Sequence, residues 1–350
     1  AEAGYRHFHL DDCWAGSRDA VSGKILPDVE RFPNGMKVVV DYVHNLNLSF
    51  GLYTCAGNET CVGRRPGSLG FWRQDAESYA SWGVDWVKMD WCHTSGLDPR
   101  ETYPLMADAL NRSSRHIALN MCEWGLESPW EWGFNVAQSW RMGHDHVGTW
   151  ASTKAMIRAS AGIPASGSGR PYGWNDMDML QTGNGLQAAH ANHRLANMTS
   201  DEYVTEFSMW AISASPLIVT TPIMNCSSGT CVPGLTALQR KILLNQDVLR
   251  INQDVTPQGR PMISMSVWRR DLSDGSVAVA FYNEDDHDVV IGPVDLADLF
   301  NFSRRVNFSR RVLVKDVWEG VEHIVEDALP AKQVRPHCTM LFIVSRLHVS

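Results

Sequence analysis

Short apolar runs alternate with amphipathic stretches over the first two thirds of the chain. YRHFHL, SFGLYT, VDWVKM, HIALNM, NVAQSW and PLIVT predict strands, and the segments near 35–47, 70–82, 101–113, 150–160, 201–212 and 236–246 predict helices between them. Such alternation points to βα units around a parallel sheet. From about residue 257 the texture changes to short β-rich runs, PMISMSVWRRD, GSVAVAFYNED, HDVVIG, RRVLVKDVWEG and CTMLFIVSRL, broken by Asp, Gly, Asn and Pro. An α/β domain over 1–256 and an antiparallel β domain over 257–350 are therefore expected. The direct duplication NFSRRVNFSRRV, Asn301 to Val312, is too short for a solenoid repeat and reads as a loop expansion.

Polar groups recur where the predicted strands end. YRHFHL runs into Asp11 and Asp12, VDWVKM into Asp90, HIALNM into Cys122 and Glu123, and NVAQSW into Arg141 and then Asp145. A (β/α)8 barrel builds its active site at these strand ends, and an open doubly wound sheet binds ligands there too. No Gly-rich phosphate loop follows any strand, which disfavours the nucleotide-binding version.

In VKMDWC, Lys88 and Asp90 share one face of a strand, so an ammonium and a carboxylate point to the same place. The opposite charge favours an ionised Asp90, which could attack a sugar carbon; the same pair also reads as a structural ion pair. Sugar cleavage further needs a carboxyl group that holds a proton for the leaving oxygen, and Asp145 in SWRMGHDH is the candidate. LDDCW, CEW and GWNDMDML set carboxylates beside tryptophans, a combination that suits vicinal hydroxyls and the apolar face of a sugar ring. Helix capping or Ca²⁺ coordination are the competing readings of Asp11, Asp12, Asp176 and Asp178, and an EF-hand's glycine and terminal glutamate are missing. His7, His9, His144 and His146 come without HExxH or Cys/His ligand spacing, so no metal is expected.

Charge and composition narrow the partners. The 350 residues carry a formal charge of −8 with scattered arginine pairs, which argues against nucleic acid. No apolar run approaches the roughly 20 residues of a membrane helix, and the opening AEAGYRHF does not resemble a signal peptide. Seven sequons, at Asn47, Asn58, Asn111, Asn197, Asn225, Asn301 and Asn307, together with 8 cysteines, suggest a secretory route. Cys226 and Cys231 bracket a Ser/Gly loop that either closes as a disulfide or leaves two thiols.

Taken in order, GYRHFHLDDCW, RFPNGMKVVVDYVH, GLYTCAGNETCVGRRPGSLG, DAESYASWGVDWVKMDWC, CEW, SWR with Asp145, WNDMDML and INQD resemble the α-galactosidases and α-N-acetylgalactosaminidases of glycoside hydrolase family 27, from about Gly4 to Asp254. The resemblance implies a (β/α)8 TIM barrel followed by an antiparallel β-sandwich. It implies a retaining exo-α-galactosidase without cofactor, acting on terminal α-linked galactose, with Asp90 as nucleophile and Asp145 as acid/base. It places Asp11, Asp12, Tyr53, Cys61, Lys88, Glu123, Leu126, Arg141, Asp178 and Met179 in the galactose subsite, and it pairs Cys61 with Cys92. Glu123 and Leu126 resemble the galactose-specific type at the sugar's 2-position, where N-acetyl-specific relatives carry small residues.

An α-N-acetylgalactosaminidase, a β-L-arabinopyranosidase and a catalytically dead galactose-binding protein are the alternatives. The expected setting is secreted or lysosomal/vacuolar, and a homodimer stays open. The family's first barrel strand, with its GWNSW-like motif, lies upstream of where this sequence begins, so a truncated barrel is expected. The resemblance puts the usual partner of Cys13 in that upstream part and Ala137 at the usual partner position of Cys122, so both pairings stay open, with Cys55 as an alternative partner for one of them. Met177 stands where the usual WNDPDM has proline.

Overall fold

The computed structural model describes residues 2–169, 172–184, 197–227, 230–300 and 311–347. The chain divides into two compact units, residues 1–144 and 145–350. This division falls within the stretch 1–256 that was expected to form one domain.

In the first unit five parallel strands, His7–Leu10, Ser49–Cys55, Trp86–Asp90, Ala118–Cys122 and Ser139–Arg141, lie side by side in chain order. Helices Met36–Asn45, Trp72–Trp82 and Pro99–Arg112 form three of the connections, close to the spans that the apolar periodicity predicts. Every residue from Phe50 to Cys55 is buried, as in a sheet covered by helices. Phe50, Leu52, Val87 and Met89 pack with Val40, Ala76, Tyr79, Tyr103 and Met106 of the helices in one apolar cluster. Local chemistry sets the boundaries. Asp98 caps its helix by accepting from the Arg100 N–H at 2.8 Å, with Pro99 in the first turn, where a missing N–H costs nothing. The strand predicted across NVAQSW is shorter, because Gly133–Asn135 forms a 3₁₀ turn and only Ser139–Arg141 is extended.

The second unit holds helices Trp150–Gly162, Ser200–Ile212, Ala237–Leu243 and Gln246–Gln253, and the short strand Trp174–Asp176. Thr199 and Glu202 close a capping box at the start of Ser200–Ile212. PLIVT is not a strand. Ile218 N–H turns back to the Pro216 carbonyl at 3.2 Å, and Val219 makes an isolated parallel bridge with Leu180. Beyond residue 257 six antiparallel strands pair in the order Arg260–Pro261, Val267–Asp271, Val277–Tyr282, Thr339–Arg346, Arg311–Asp316, Glu322–Glu326. Val279, Phe281, Val314, Phe342 and Val344 form their core. The buried Arg270 donates to the carbonyls of Ala211, Ile251 and Asn252 at 3.1, 2.6 and 3.3 Å, satisfying the last turns of two helices from one sheet residue. Among the described residues no helix is long and apolar enough to cross a membrane.

Candidate active site

Strand register assembles the first unit's polar cluster. Tyr53 lies opposite Lys88 and Lys88 opposite Asn120; two residues on, Cys55 lies opposite Asp90 and Asp90 opposite Cys122. Because side chains alternate along a strand, these six residues share one face of the sheet. Arg141 joins them, its Nη1 donating to Cys122 Sγ at 3.6 Å. Beneath them Asn120 Nδ2 donates to Ser139 Oγ at 2.7 Å.

Lys88 Nζ donates to Asp11 Oδ2 at 3.0 Å and sits 5.3 Å from the centre of the Tyr53 ring. Burial works to lower the lysine's pKa, but Asp11, Cys122 and Asp90 outweigh it, and the ammonium is held above its ordinary range. Asp11 is correspondingly held below the usual carboxylate range: burial opposes this, and Lys88, the Asp12 N–H and Arg141 override it. Asp90 goes the other way. Burial raises it, partly offset by Lys88, the Trp91 N–H, which lies 2.9 Å from Oδ1, the Cys122 thiol and Arg141. Lys88 favours the ionised form, as its place on the strand face predicts, but desolvation is the larger effect and raises the pKa.

The loop after Ser49–Cys55 is drawn over this cluster. A Cβ at Gly57 would lie 2.2 Å from the Cys92 carbonyl oxygen, so only glycine lets the two loops touch. A disulfide joins Cys61 to Cys92 there. Their sulfurs and an Asp90 carboxylate oxygen all lie within 4.8 Å of one another, and sulfurs bonded to each other offer no thiolate pair to a metal. Asp12 Oδ2 accepts from the Val62 N–H at 3.1 Å, and Tyr53 Oη accepts from the Cys61 N–H at 3.4 Å. Asp12 thus orders this loop and caps no helix.

Glu123 is fully buried, one oxygen accepting from the Glu127 N–H at 2.9 Å and the other, Oε1, without a hydrogen-bond partner. Burial pushes it up to about 7, against the N–H groups of Glu127, Leu126 and Gly125. Leu126 is 56% exposed on the same turn, where Gly125 takes φ 78° and a Cβ would meet the Met142 carbonyl oxygen at 2.5 Å.

The second unit carries Asp145, Asp178 and Met179. Asp145 is exposed, and the next peptide is fastened: the His146 N–H donates to Asp178 Oδ2 at 2.7 Å. Asp178 takes φ 78°, its N–H donates to Asp176 Oδ1 at 2.8 Å, and its carbonyl accepts from Trp210 Nε1 at 2.8 Å. Met177 N–H donates to Ser215 Oγ at 2.8 Å, a bond that proline at this position has no hydrogen to make.

The remaining expected residues are scattered. His9 stacks on Trp86 with ring centres 4.1 Å apart, His144 faces Trp124 and His146 is buried. Cys226 and Cys231 form a disulfide, whereas Cys13, Cys55, Cys122 and Cys338 are thiols, so Cys55 replaces no missing partner. Asn47, Asn58, Asn111 and Asn197 are exposed, Asn225 lies in the strand Met224–Ser227, and Asn301 and Asn307 lie outside the described residues. Sequence reading did not identify the thiols on either side of Asp90 or the burial of His146. Face parity in ALNMC was the available signal for Cys122, whereas nothing local marks His146.

Residues 1–254 match the family described as Alpha galactosidase A, and residues 263–344 match the Alpha galactosidase C-terminal beta sandwich domain. The alpha-galactosidase of Cyamopsis tetragonoloba is 38% identical over 81% of this chain and 64% of its own length. Alpha-galactosidase A of Cellvibrio japonicus is 39% identical over 81% of this chain and 68% of its own length, so the chain spans about two thirds of these relatives. The crystal structure of alpha-galactosidase I from Mortierella vinacea superposes with a TM-score of 0.82 at 26% identity, covering 98% of this chain and 88% of that one.

Proposed function

The chain belongs to the Alpha galactosidase A family, glycoside hydrolase family 27, and from that premise we propose that it is a retaining exo-α-galactosidase that removes terminal α-linked galactose. Asp90 is the nucleophile. Its carboxylate attacks the anomeric carbon while the protonated carboxyl group of Asp145 delivers its proton to the departing glycosidic oxygen, leaving a galactosyl ester on Asp90. Asp145, now a carboxylate, takes a proton from water as the water attacks the same carbon, and Asp90 leaves as a carboxylate. Two inversions return the original configuration.

The observation that carries this reading is the setting of Asp90 at the end of a buried strand. Desolvation strips a carboxylate of stabilising water, while Lys88, the Trp91 N–H, the Cys122 thiol and Arg141 hold it in place. Asp11 and Lys88, locked together at 3.0 Å, offer an acceptor and a donor to the hydroxyls of a sugar standing over Asp90. The family resemblance assigns Asp12, Tyr53, Cys61, Arg141, Asp178 and Met179 to the galactose subsite, and Glu123 and Leu126 to the sugar's 2-position. A route through the secretory pathway, ending outside the cell or in a lysosome or vacuole, belongs to the same reading and is supported by the two disulfides and the exposed sequon asparagines.

The test is hydrolysis of 4-nitrophenyl α-galactoside beside its 2-acetamido analogue, with NMR of the first sugar released. Preference for the galactoside, release as the α-anomer and loss of turnover in Asp90→Asn with galactose binding kept are the expected results. First release as the β-anomer would overturn the retaining route, preference for the acetamido substrate would overturn the Leu126 assignment, and galactose binding without turnover in the unmodified protein would make it a sugar-binding protein.

A further inference from the structure

We propose that His146 and Glu206 are positioning residues for the Asp145 carboxyl group, which they hold by gripping the peptides that follow it. The inference rests on the reading of Asp145 as acid/base. It begins from a contrast within one loop. Asp145 is exposed, whereas the side chain of its neighbour His146 is completely buried.

His146 is clamped through both backbone groups and both ring nitrogens. Its N–H donates to Asp178 Oδ2 at 2.7 Å, and its carbonyl accepts from Gln181 Nε2 at 3.4 Å. Nδ1 lies 3.2 Å from the Met179 carbonyl oxygen, which can only accept, so this nitrogen carries a proton. Nε2 lies 3.0 Å from Thr153 Oγ1, and the ring meets Trp210 edge-on at 5.0 Å between centres. One residue later the Val147 N–H donates to Ser152 Oγ at 3.0 Å.

Glu206 anchors this arrangement from the helix Ser200–Ile212. Oε1 accepts from the Gln181 N–H at 2.7 Å and lies 3.7 Å from His146 Nδ1, while Oε2 accepts from Thr182 Oγ1 at 2.7 Å. Glu206 thereby fixes Gln181, whose side chain holds the His146 carbonyl, and faces the ring that bears the proton. The carboxylate is fully buried and each of its oxygens has a donor, so the network is satisfied as well as rigid. The peptide that follows Asp145 is thus held by four neighbours of the next residue, which is how surrounding groups keep a reactive side chain within a fraction of an ångström.

A misplaced acid slows the first step, which kcat/KM reports, only where the leaving oxygen needs its proton. A sugar or methyl group leaves poorly without protonation; a nitrophenolate leaves without help. His146→Leu and Glu206→Gln are therefore compared on methyl α-galactoside and 2,4-dinitrophenyl α-galactoside, with Asp145→Ala as the reference. The expected result for each variant is a fall of about 10- to 100-fold in kcat/KM on the methyl glycoside, the scale of a roughly 1 Å misplacement, with a much smaller fall in kcat/KM on the dinitrophenyl glycoside. His146→Asn, which keeps a donor in the Nδ1 position, should recover most of the loss.

Equal losses on both substrates, or none, would overturn the positioning role. If His146→Leu does not fold, Glu206→Gln alone decides. Should Asp145→Ala itself show no dependence on the leaving group, the acid/base assignment fails instead; if it shows that dependence and neither neighbour does, only this inference fails.

Discussion

Lys88 and Asp11 meet at 3.0 Å, so the ammonium that shares a strand face with Asp90 is shared with a carboxylate from the first strand's end. The charge beside Asp90 is therefore doubly constrained. Lys88 pulls the Asp90 pKa down while burial pushes it up, and Asp11 keeps Lys88 charged and in place.

Replacing Lys88 by Met should raise the Asp90 pKa further, since the opposing cation is gone and desolvation stays. A nucleophile must be ionised, so the acid limb of kcat/KM should move to higher pH and the plateau should fall by about 100-fold or more, the scale of losing one preorganised electrostatic contact. A pH–rate profile of the variant checks this. An acid limb in its original place would show that Lys88 does not control Asp90.

Glu123 holds a proton to about pH 7 in the folded state, while in the unfolded chain it releases it near the ordinary glutamate value of about 4.3. Between these values the native state binds more protons, so this group's contribution to stability is largest at acidic pH and falls as pH rises toward 7. The shift corresponds to at most roughly 4 kcal/mol. Glu206, also pushed up to about 7 by burial, acts in the same direction. Glu123→Gln should flatten the decline in melting temperature between pH 4.5 and 7, and an unchanged slope would refute the assignment.

Met177→Pro restores the residue usual in this motif yet removes the N–H that Ser215 Oγ accepts at 2.8 Å, in a spot where Ser215 is fully buried. Losing that bond should cost about 1 kcal/mol or more. Urea unfolding of the variant measures it, and a gain in stability would mean that proline's restriction of the unfolded chain outweighs the bond.

Opening the Cys61–Cys92 bridge with a double Ser substitution removes a cross-link between positions 31 residues apart. A loss of about 2–4 kcal/mol is expected from the freer unfolded chain. Activity should fall more than stability alone requires, because the bridge lies beside Asp90 and ties down the loop that Asp12 and Tyr53 hold. A destabilised variant with unchanged kcat at low temperature would show the bridge to be purely structural.

Much of the fold was legible because it is local. Helix spans followed from apolar spacing, and the structure adds the caps Asp98 and Thr199, whose side chains answer the orphan N–H groups at a helix start. PLIVT misled because an apolar run states that a segment is buried and leaves open where its backbone hydrogen bonds go; here Ile218 turns back on Pro216. The second helix Gln246–Gln253 was missed for the opposite reason. Its cap, Asn245, accepts from Asp247 and Val248 N–H groups only two and three residues away, too close to the preceding helix for periodicity to separate them.

By itself the sequence determined which side chains each strand presents together, Lys88 with Asp90 above all, since alternation along a strand is a property of the backbone. It also carried the order of motifs that marks the family. Tertiary structure decided what those side chains do to one another. That Lys88 pairs with Asp11, that Cys55 and Cys122 flank Asp90 as thiols, that burial outweighs the nearby cations at Asp90, and that His146 plugs a pocket built by Glu206, Thr153 and Met179 all depend on strand register and desolvation, which arise only when segments distant in the chain exclude water together.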